Sequence, residues 1–522
     1  MGGIMKNLKL FFAAIFIFIC VNSFAEVNKA VPGDGRLRQI IADVEQYAQK
    51  GMQEWGIPGM AVGIVQGDAV IYTKGFGVKT AGGSSAVTSD TIFQIGSTSK
   101  AFTACLAAML QDEDKFNWDE PVTKYLPDFA MYDPWVSREF EIWDMMAQHS
   151  GLPGYSADFL SMCGFDRSQI IRAMRYIKPV TSFRAKYAYQ NNMFLAVAAL
   201  EEKLSGRSWE ENIRERIFKP LGMENSTTDL ASFRNAKDVA SLHVKVKDKA
   251  VAVPMDWKGM HWVYTYGPAG GINSNITDMV KWLRFQINGG AFNGKQLVSK
   301  ENMEFLQTPK TILEQKSGGR KAYYCQGWLY MEDDPHPIVW HNGGTTGMKT
   351  MIAFVPQAKV GIVILSNIIT GFPEDLAFRF FKNYFGLTLE DNIARMKEEE
   401  KNAMDEELAK SPKAPAQPCA AMPLEQYAGE YQNDVYGKID VVLKNKGLSI
   451  LIGPLKSEFK LAHFDKNDFQ AVLTDLDLTE TPGLVRFDVG PGGTLSGLTI
   501  GAINDDGCGV FEKVMTNKRQ VK

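Results

Sequence analysis

The sequence predicts an α+β fold with a small all-β domain behind it, and three observations carry that prediction. A helical stretch and a strand hairpin open the first domain, strand signals and a helix close it, and helices and loops fill the interval. Strands from both ends then complete one antiparallel sheet, flanked by terminal helices, with an all-helical subdomain alongside. Beyond a Pro-rich spacer the pattern changes to short strands broken by Gly and Asp, as in an all-β unit.

Taken in order, residues 1–25 read as a signal peptide. Lys6 and Lys9 precede an apolar run over 10–21, and Ser23-Phe24-Ala25 places small residues at the ends of a cleavage site. The run is too short to span a bilayer comfortably. Ile17-Phe18-Ile19 ahead of Cys20 lacks the small residues of a lipoprotein signal. The expectation is an exported chain, periplasmic or secreted, with no stable membrane span.

From 35 to 55, Ile40, Ile41, Val44, Tyr47 and Met52 fall near helical spacing. Residues 61–65 and 69–74 read as strands joined by Gln66-Gly67-Asp68. Phe93-Gln94-Ile95-Gly96 leads into Ser97 and a helix through Met109, and helices and loops dominate 110–260. Strand signals return at 323–330, 338–341, 349–355 and 360–365, followed by a helix over 373–384. This first domain is expected over 26–390. A charged helical run and the spacer Ser411-Pro412-Lys413-Ala414-Pro415-Ala416-Gln417-Pro418 occupy 391–422. Residues 423–522 form the small all-β accessory domain, a barrel or sandwich, with strands over 439–443, 448–452, 469–473, 484–489 and 497–500.

A chain of 522 residues exceeds the usual size of a single core, and two domains are the default. Its 45% apolar and 22% charged residues are ordinary for a soluble globular protein. The net charge of −3, with no long basic run, gives no electrostatic reason to expect nucleic acid or an anionic membrane. The expected partner is a small molecule or peptide. Cys105, Cys163, Cys325, Cys419 and Cys508 are scattered, with no C-x-x-C pair, so neither a disulfide scaffold nor a zinc site is indicated, though one disulfide stays open. His243, His261, His336 and His463 show no metal spacing, and no metal or cofactor is expected.

Three elements carry chemistry. In Gly96-Ser97-Thr98-Ser99-Lys100 a serine opens a helix and a lysine follows one turn later on the same face. A serine is a weak nucleophile until a neighbouring base takes its proton, and a helix start adds N–H groups where negative charge develops. Tyr189-Gln190-Asn191 on a loop can turn two side chains into one cleft. His341-Asn342-Gly343-Gly344 ends an apolar strand, where glycines let a ligand approach the backbone. Each pattern also has decoys. Ser457-Glu458-Phe459-Lys460 sits in a strand, where residues three apart face opposite ways. Tyr431-Gln432-Asn433 lies in the small domain, His149-Ser150-Gly151 reads as a turn, and Lys316-Ser317-Gly318 as a polar loop.

In this order and spacing, Ser97-x-x-Lys100, Tyr189-x-Asn191 and His341-x-Gly343 resemble the three boxes of class C β-lactamases, penicillin-binding proteins, D-Ala-D-Ala carboxypeptidases, D-aminopeptidases and related esterases. Pro220-Leu221-Gly222-Met223, Pro268-Ala269-Gly270-Gly271-Ile272-Asn273-Ser274 and Gly361-Ile362-Val363-Ile364-Leu365-Ser366-Asn367 look like the same family, over about residues 36 to 390. The resemblance implies a β-lactamase/transpeptidase-like fold and an acyl-enzyme on Ser97. Lys100 and Tyr189 then share general-base and general-acid work, Asn191 binds the substrate's amide or ester, and Ser97 and Gly344 N–H groups form the oxyanion hole. Class C β-lactamases usually carry Lys-Thr-Gly where this chain has His341-Asn342-Gly343. A histidine of ordinary pKa, about 6.5, is mostly neutral at pH 7 and would attract a substrate carboxylate only when protonated. The expected activity is hydrolysis of amide bonds in small D-amino-acid or cell-wall-like peptides. A carboxylesterase, a β-lactamase and a non-catalytic penicillin-binding-type protein are the alternatives.

Overall fold

Strands covered on both faces read as continuous apolar runs rather than alternating ones, and the central strands here have that character. The computed structural model describes residues 34–313, 321–333, 335–409, 412–473 and 483–515. The signal segment at 1–25 and the Lys316-Ser317-Gly318 decoy lie outside them. The main sheet is built from β1 (Gly59–Gln66), β2 (Ala69–Gly77), β3 (Thr311–Ile312), β4 (Ala322–Tyr324), β5 (Leu329–Met331), β6 (Ile338–Gly344), β7 (Lys349–Val355) and β8 (Val360–Ser366). Its order is β2-β1-β8-β7-β6-β5-β4-β3. The first and last long strands pair antiparallel, from Met60 opposite Ser366 to Gln66 opposite Val360. Both ends of the domain therefore close one sheet, as the sequence order predicts.

The pleat divides the core in two. Met60, Val62, Ile64, Met351, Ala353, Ile362 and Ile364 cluster with α1 (Asp34–Trp55) and α5 (Phe372–Tyr384). Ala61, Val65, Ile352, Phe354, Val363 and Leu365 join the cluster of α2 (Ser99–Asp112), α3 (Asn192–Ser205) and α4 (Ile276–Ile287). α2 is buried all round from Ser99 to Leu110, which its run of small and apolar residues permits. Asn367 fastens the sheet to the chain start, accepting the Gly59 N–H at 2.8 Å and donating to the Lys79 carbonyl at 3.0 Å.

Residues 323–330 were expected as one strand and are two. Gly327, at φ +74°, turns the chain so tightly against α2 that a Cβ there would lie 2.9 Å from the Lys100 carbonyl oxygen. After α6 (Ile393–Ala409), β9 (Gly429–Asn433), β10 (Gly437–Lys444), β11 (Gly447–Ile452), β12 (Ser457–Asp465), β13 (Asp468–Leu473), β14 (Gly483–Val489), β15 (Leu495–Ile500) and β16 (Val510–Lys513) form a closed antiparallel barrel. Its seam joins Tyr431 to Lys513 and Gln432 to Glu512. Closure removes the exposed edges that a sandwich would leave. Among the described residues no helix is long and apolar enough to cross a membrane, and none of the five cysteines is in a disulfide.

The sheet tolerates α4 because Gly63 has no side chain: a Cβ there would meet Val280 at 2.5 Å and Ile276 at 3.0 Å. Gly63→Ala is expected to destabilise by about 1–3 kcal/mol through overpacking. Urea denaturation read against activity per folded molecule tests this, and the activity should not change.

Candidate active site

Gly96 sets the geometry from which the site is built. At φ +54° it occupies the left-handed region and leads into the short 3₁₀ turn Gly96–Thr98 that precedes α2. The Thr98 hydroxyl donates to the Ile95 carbonyl at 2.8 Å and fixes that turn. β6 lies directly against it. A Cβ on Gly96 would fall 2.6 Å from the Gly344 nitrogen, and one on Gly343 would fall 2.0 Å from the Ile95 oxygen. Gly96 and Gly343 are thus required by backbone contact, and Ser97 and Gly344 line the same pocket.

Lys100, the second residue of α2 and one turn beyond Ser97, is fully buried. Its Nζ lies 3.2 Å from Ser97 Oγ, 2.6 Å from Asn191 Oδ1 and 2.9 Å from the Ala269 carbonyl oxygen. Burial holds its pKa well below the ordinary lysine value, and the negative charge of Asp158 opposes only part of that shift. Asn191 donates to Asp158 Oδ2 at 2.7 Å, which orients its amide with the oxygen towards the lysine. Ala269 belongs to the Pro268–Ser274 stretch that resembles the family, and its carbonyl gives that stretch a physical task.

The second element is held from behind. The Ala188 N–H donates to the Gln148 carbonyl at 2.8 Å and Gln190 Nε2 to the Pro153 carbonyl at 2.6 Å, so Gln190 is tied into the interior. Its neighbours Tyr189 and Asn191 line the pocket on the other side. Tyr189 lines the pocket together with Ser97, and its ring lies 4.7 Å from Lys100 Nζ. Its pKa is nevertheless raised well above the usual phenol value, first by burial and then by Tyr324 and Tyr155 nearby. Removal from water thus acts in opposite directions on the amine and the phenol, disfavouring the charged form of each.

His341 stands apart from its expected role. It does not line the pocket but lies behind it, buried, with Nε2 3.1 Å from the Tyr324 hydroxyl and Nδ1 bonded to its own strand at the Asn342 carbonyl. Burial, with Lys100 and Lys349 nearby, pushes its pKa down to about 3. A histidine so placed is neutral throughout the physiological range and attracts no substrate carboxylate. The expectation of a titration near 6.5 is corrected by desolvation.

Residues that no motif flagged complete the site. Asp158 orients Asn191, while Tyr155, Met162, Trp262 and Tyr266 supply aromatic and apolar walls. Tyr155 and Ala157 take left-handed backbones, at φ +59° and +57°. Such a conformation costs a non-glycine residue roughly 1–2 kcal/mol, which surrounding contacts must offset. The decoys lie elsewhere. Ser457 starts barrel strand β12, Tyr431 sits in β9, and His149 is bonded to Asp144 at 2.7 Å and to Thr311. Among the described residues no group of His, Cys, Asp and Glu is arranged to hold a metal ion.

Comparison with known proteins agrees with this fold. The Beta-lactamase family model matches residues 44–379, and a domain of unknown function, DUF3471, matches residues 413–508. The unguisins hydrolase of Aspergillus campestris is 27% identical over 433 residues, covering 77% of each chain. Penicillin-binding protein 4 of Amycolatopsis lactamdurans is 26% identical over 333 residues, 62% of this chain and 84% of that one. The structure of the octameric penicillin-binding protein homologue from Pyrococcus abyssi has a TM-score of 0.58 at 22% identity, covering 88% of this chain and 98% of that one. The chain belongs to the β-lactamase family and has its fold, with a barrel appended.

Gly96→Ala would force a left-handed alanine into the Gly344 backbone. It is expected to lower turnover by at least the ~10²–10³ of a lost oxyanion donor. Steady-state kinetics on a para-nitrophenyl ester, with circular dichroism to confirm folding, checks it.

Proposed function

We propose that this β-lactamase-family chain is a serine hydrolase in which neutral Lys100 is the base that activates Ser97. One observation carries the reading: the three partners of the buried Lys100 amine. Asn191 Oδ1 and the Ala269 carbonyl can only accept. A neutral amine has two N–H donors and one lone pair, so with both donors used the lone pair points at the Ser97 hydroxyl. Ser97 then attacks the substrate carbonyl and passes its proton to Lys100. The N–H groups of Ser97 and Gly344 receive the oxyanion. Tyr189, held as a phenol, is the general acid: it gives its proton to the leaving group and takes up the one Lys100 received from Ser97, which restores both groups, a division the sequence alone left open. Water hydrolyses the acyl-enzyme in a second cycle through the same groups.

The pocket also bears on substrate class. Among the described residues its lining contains one carboxylate, Asp158, and no arginine, histidine or lysine side chain, while Lys100 is committed behind it. A substrate carboxylate placed there would face Asp158 without a cation, which disfavours β-lactams bearing a carboxylate. Neutral or amine-bearing acyl groups fit the aromatic walls. We therefore read the substrates as amides of small D-amino-acid or cell-wall-like peptides, with simple esters as a second class. The relative named as an unguisins hydrolase supports hydrolysis as the activity. The Lys6-to-Ala25 pattern supports export of the chain.

Ser97→Ala should abolish turnover and Ser457→Ala should leave it unchanged; more than about a hundredth of wild-type rate in Ser97→Ala would exclude Ser97 as nucleophile. Lys100→Met and Tyr189→Phe should each cost at least ~10²–10⁴. They act on one proton path, so the double variant should lose far less than the product. A panel of para-nitrophenyl esters, D- and L-amino-acid anilides and a chromogenic cephalosporin should rank D-anilides and esters above the cephalosporin. The reverse ranking would refute the charge argument.

The pH dependence has a defined sign. kcat/KM should rise with pH as Lys100 loses its proton at a pKa well below that of an ordinary lysine. His341 should add no limb of its own near about 6.5, since it is already neutral there.

A further inference from the structure

The barrel reaches the pocket through one short segment. Residues 155–165 present Tyr155, Asp158 and Met162 to the pocket and carry the barrel on their other side. The Leu455 N–H donates to the Cys163 carbonyl at 3.1 Å, and the Ser457 hydroxyl to the Met162 carbonyl at 3.4 Å. Phe159 packs against both Tyr436 and Phe459. The approach is close enough that a Cβ on Gly453 would lie 2.5 Å from the Cys163 oxygen.

One contact grips a backbone that its own sequence does not favour. Left-handed Ala157 donates its N–H to Asp506 Oδ2 at 2.8 Å, and its carbonyl accepts from the Tyr266 hydroxyl at 3.3 Å. Asp506 is fixed in turn, since its Oδ1 accepts the Cys508 N–H at 3.0 Å. The next residue along is Asp158, which orients Asn191, which contacts Lys100. A barrel loop therefore reaches the amine beside the nucleophile through hydrogen bonds and the one peptide link from Ala157 to Asp158.

We propose that Asp506 is a positioning residue for the hydrolase. Its carboxylate holds the left-handed Ala157 peptide, and so aims Asp158 at Asn191 and Lys100 at Ser97. The site is then assembled by both domains. The link to catalysis rests on the Ser97 reading above; the grip on the loop stands without it. Asparagine at 506 keeps one acceptor oxygen, enough for the Ala157 N–H at the expense of the Cys508 bond, whereas alanine removes both.

Full-length wild type, Asp506→Ala, Asp506→Asn and Leu455→Ala are compared by amide hydrogen exchange over 155–163 and by kcat and KM on para-nitrophenyl acetate. Asp506→Ala should speed exchange in that segment while the barrel strands stay protected. It should lower kcat by about 10²-fold, the cost of a small misplacement of reacting groups, with little change in KM. Asp506→Asn should be clearly less impaired than Asp506→Ala on both readouts, and Leu455→Ala, which removes the side chain packed over Gly164 without touching Ala157, should keep its kcat. Wild-type exchange in Asp506→Ala, an Asn variant as impaired as the Ala variant, or an equal loss in Leu455→Ala would each overturn the proposal. Faster exchange with unchanged kcat overturns it too if Ser97→Ala is inactive. If Ser97→Ala is active, the same result removes the nucleophile reading and leaves the loop grip intact.

Discussion

Taking an ammonium group out of water costs several kcal/mol unless an anion accompanies it. Lys100 is buried with carbonyl oxygens as its acceptors, and the nearby carboxylate, Asp158, acts on it through the Asn191 amide. Protonation is therefore penalised and the amine form is favoured. Much of the site follows from that constraint. A directly paired carboxylate would restore the charge and disable the base, so an amide stands between them. The phenol of Tyr189 is kept protonated by the same dry surroundings. The histidine behind it is kept neutral, which spares Lys100 a second positive charge.

Keeping the amine dry while exposing the hydroxyl is a task for the whole fold. α2 is enclosed by both its own subdomain and the sheet, and Ser97, in the turn that leads into it, meets the pocket. The Gly327 turn presses on the Lys100 backbone from one side, and the Gly267–Gly270 helix supplies the Ala269 carbonyl from another. On the open side the loop at 155–158 is held in a conformation that costs energy locally and is offset by Tyr266 and the barrel. Strain at a functional loop, offset by distant contacts, is a recurrent device.

Much of this was legible in the sequence because it is written locally. The apolar runs at 349–355 and 360–365, and the helix periodicity around Val44 and Tyr47, report their own burial. Ser97 and Lys100 share a helix, and Tyr189 and Asn191 share an extended loop, so spacing alone joins each pair. Contacts made across the chain were not legible. Asp158, the Ala269 carbonyl and Asp506 come from separate segments and match no pattern. The barrel seam joins Tyr431 to Lys513, whose strands carry weak signals of their own. His341 is instructive, since its identity suggested an ordinary titration and its buried place beside Tyr324 removes it. The apparent single strand over 323–330 failed for a related reason: Gly327 answers to α2, a neighbour in space.

The protonation state of Lys100 is the quantity on which this account depends, and it can be observed directly. With ¹⁵N-labelled lysine side chains, assigned by comparison with Lys100→Met, the Nζ chemical shift is followed against pH in the free enzyme. The account predicts that Lys100 changes protonation state well below the about 10.4 of an exposed lysine. A Lys100 signal that stays ammonium through neutral pH and titrates with the surface lysines would contradict it, and would return the role of base to Tyr189.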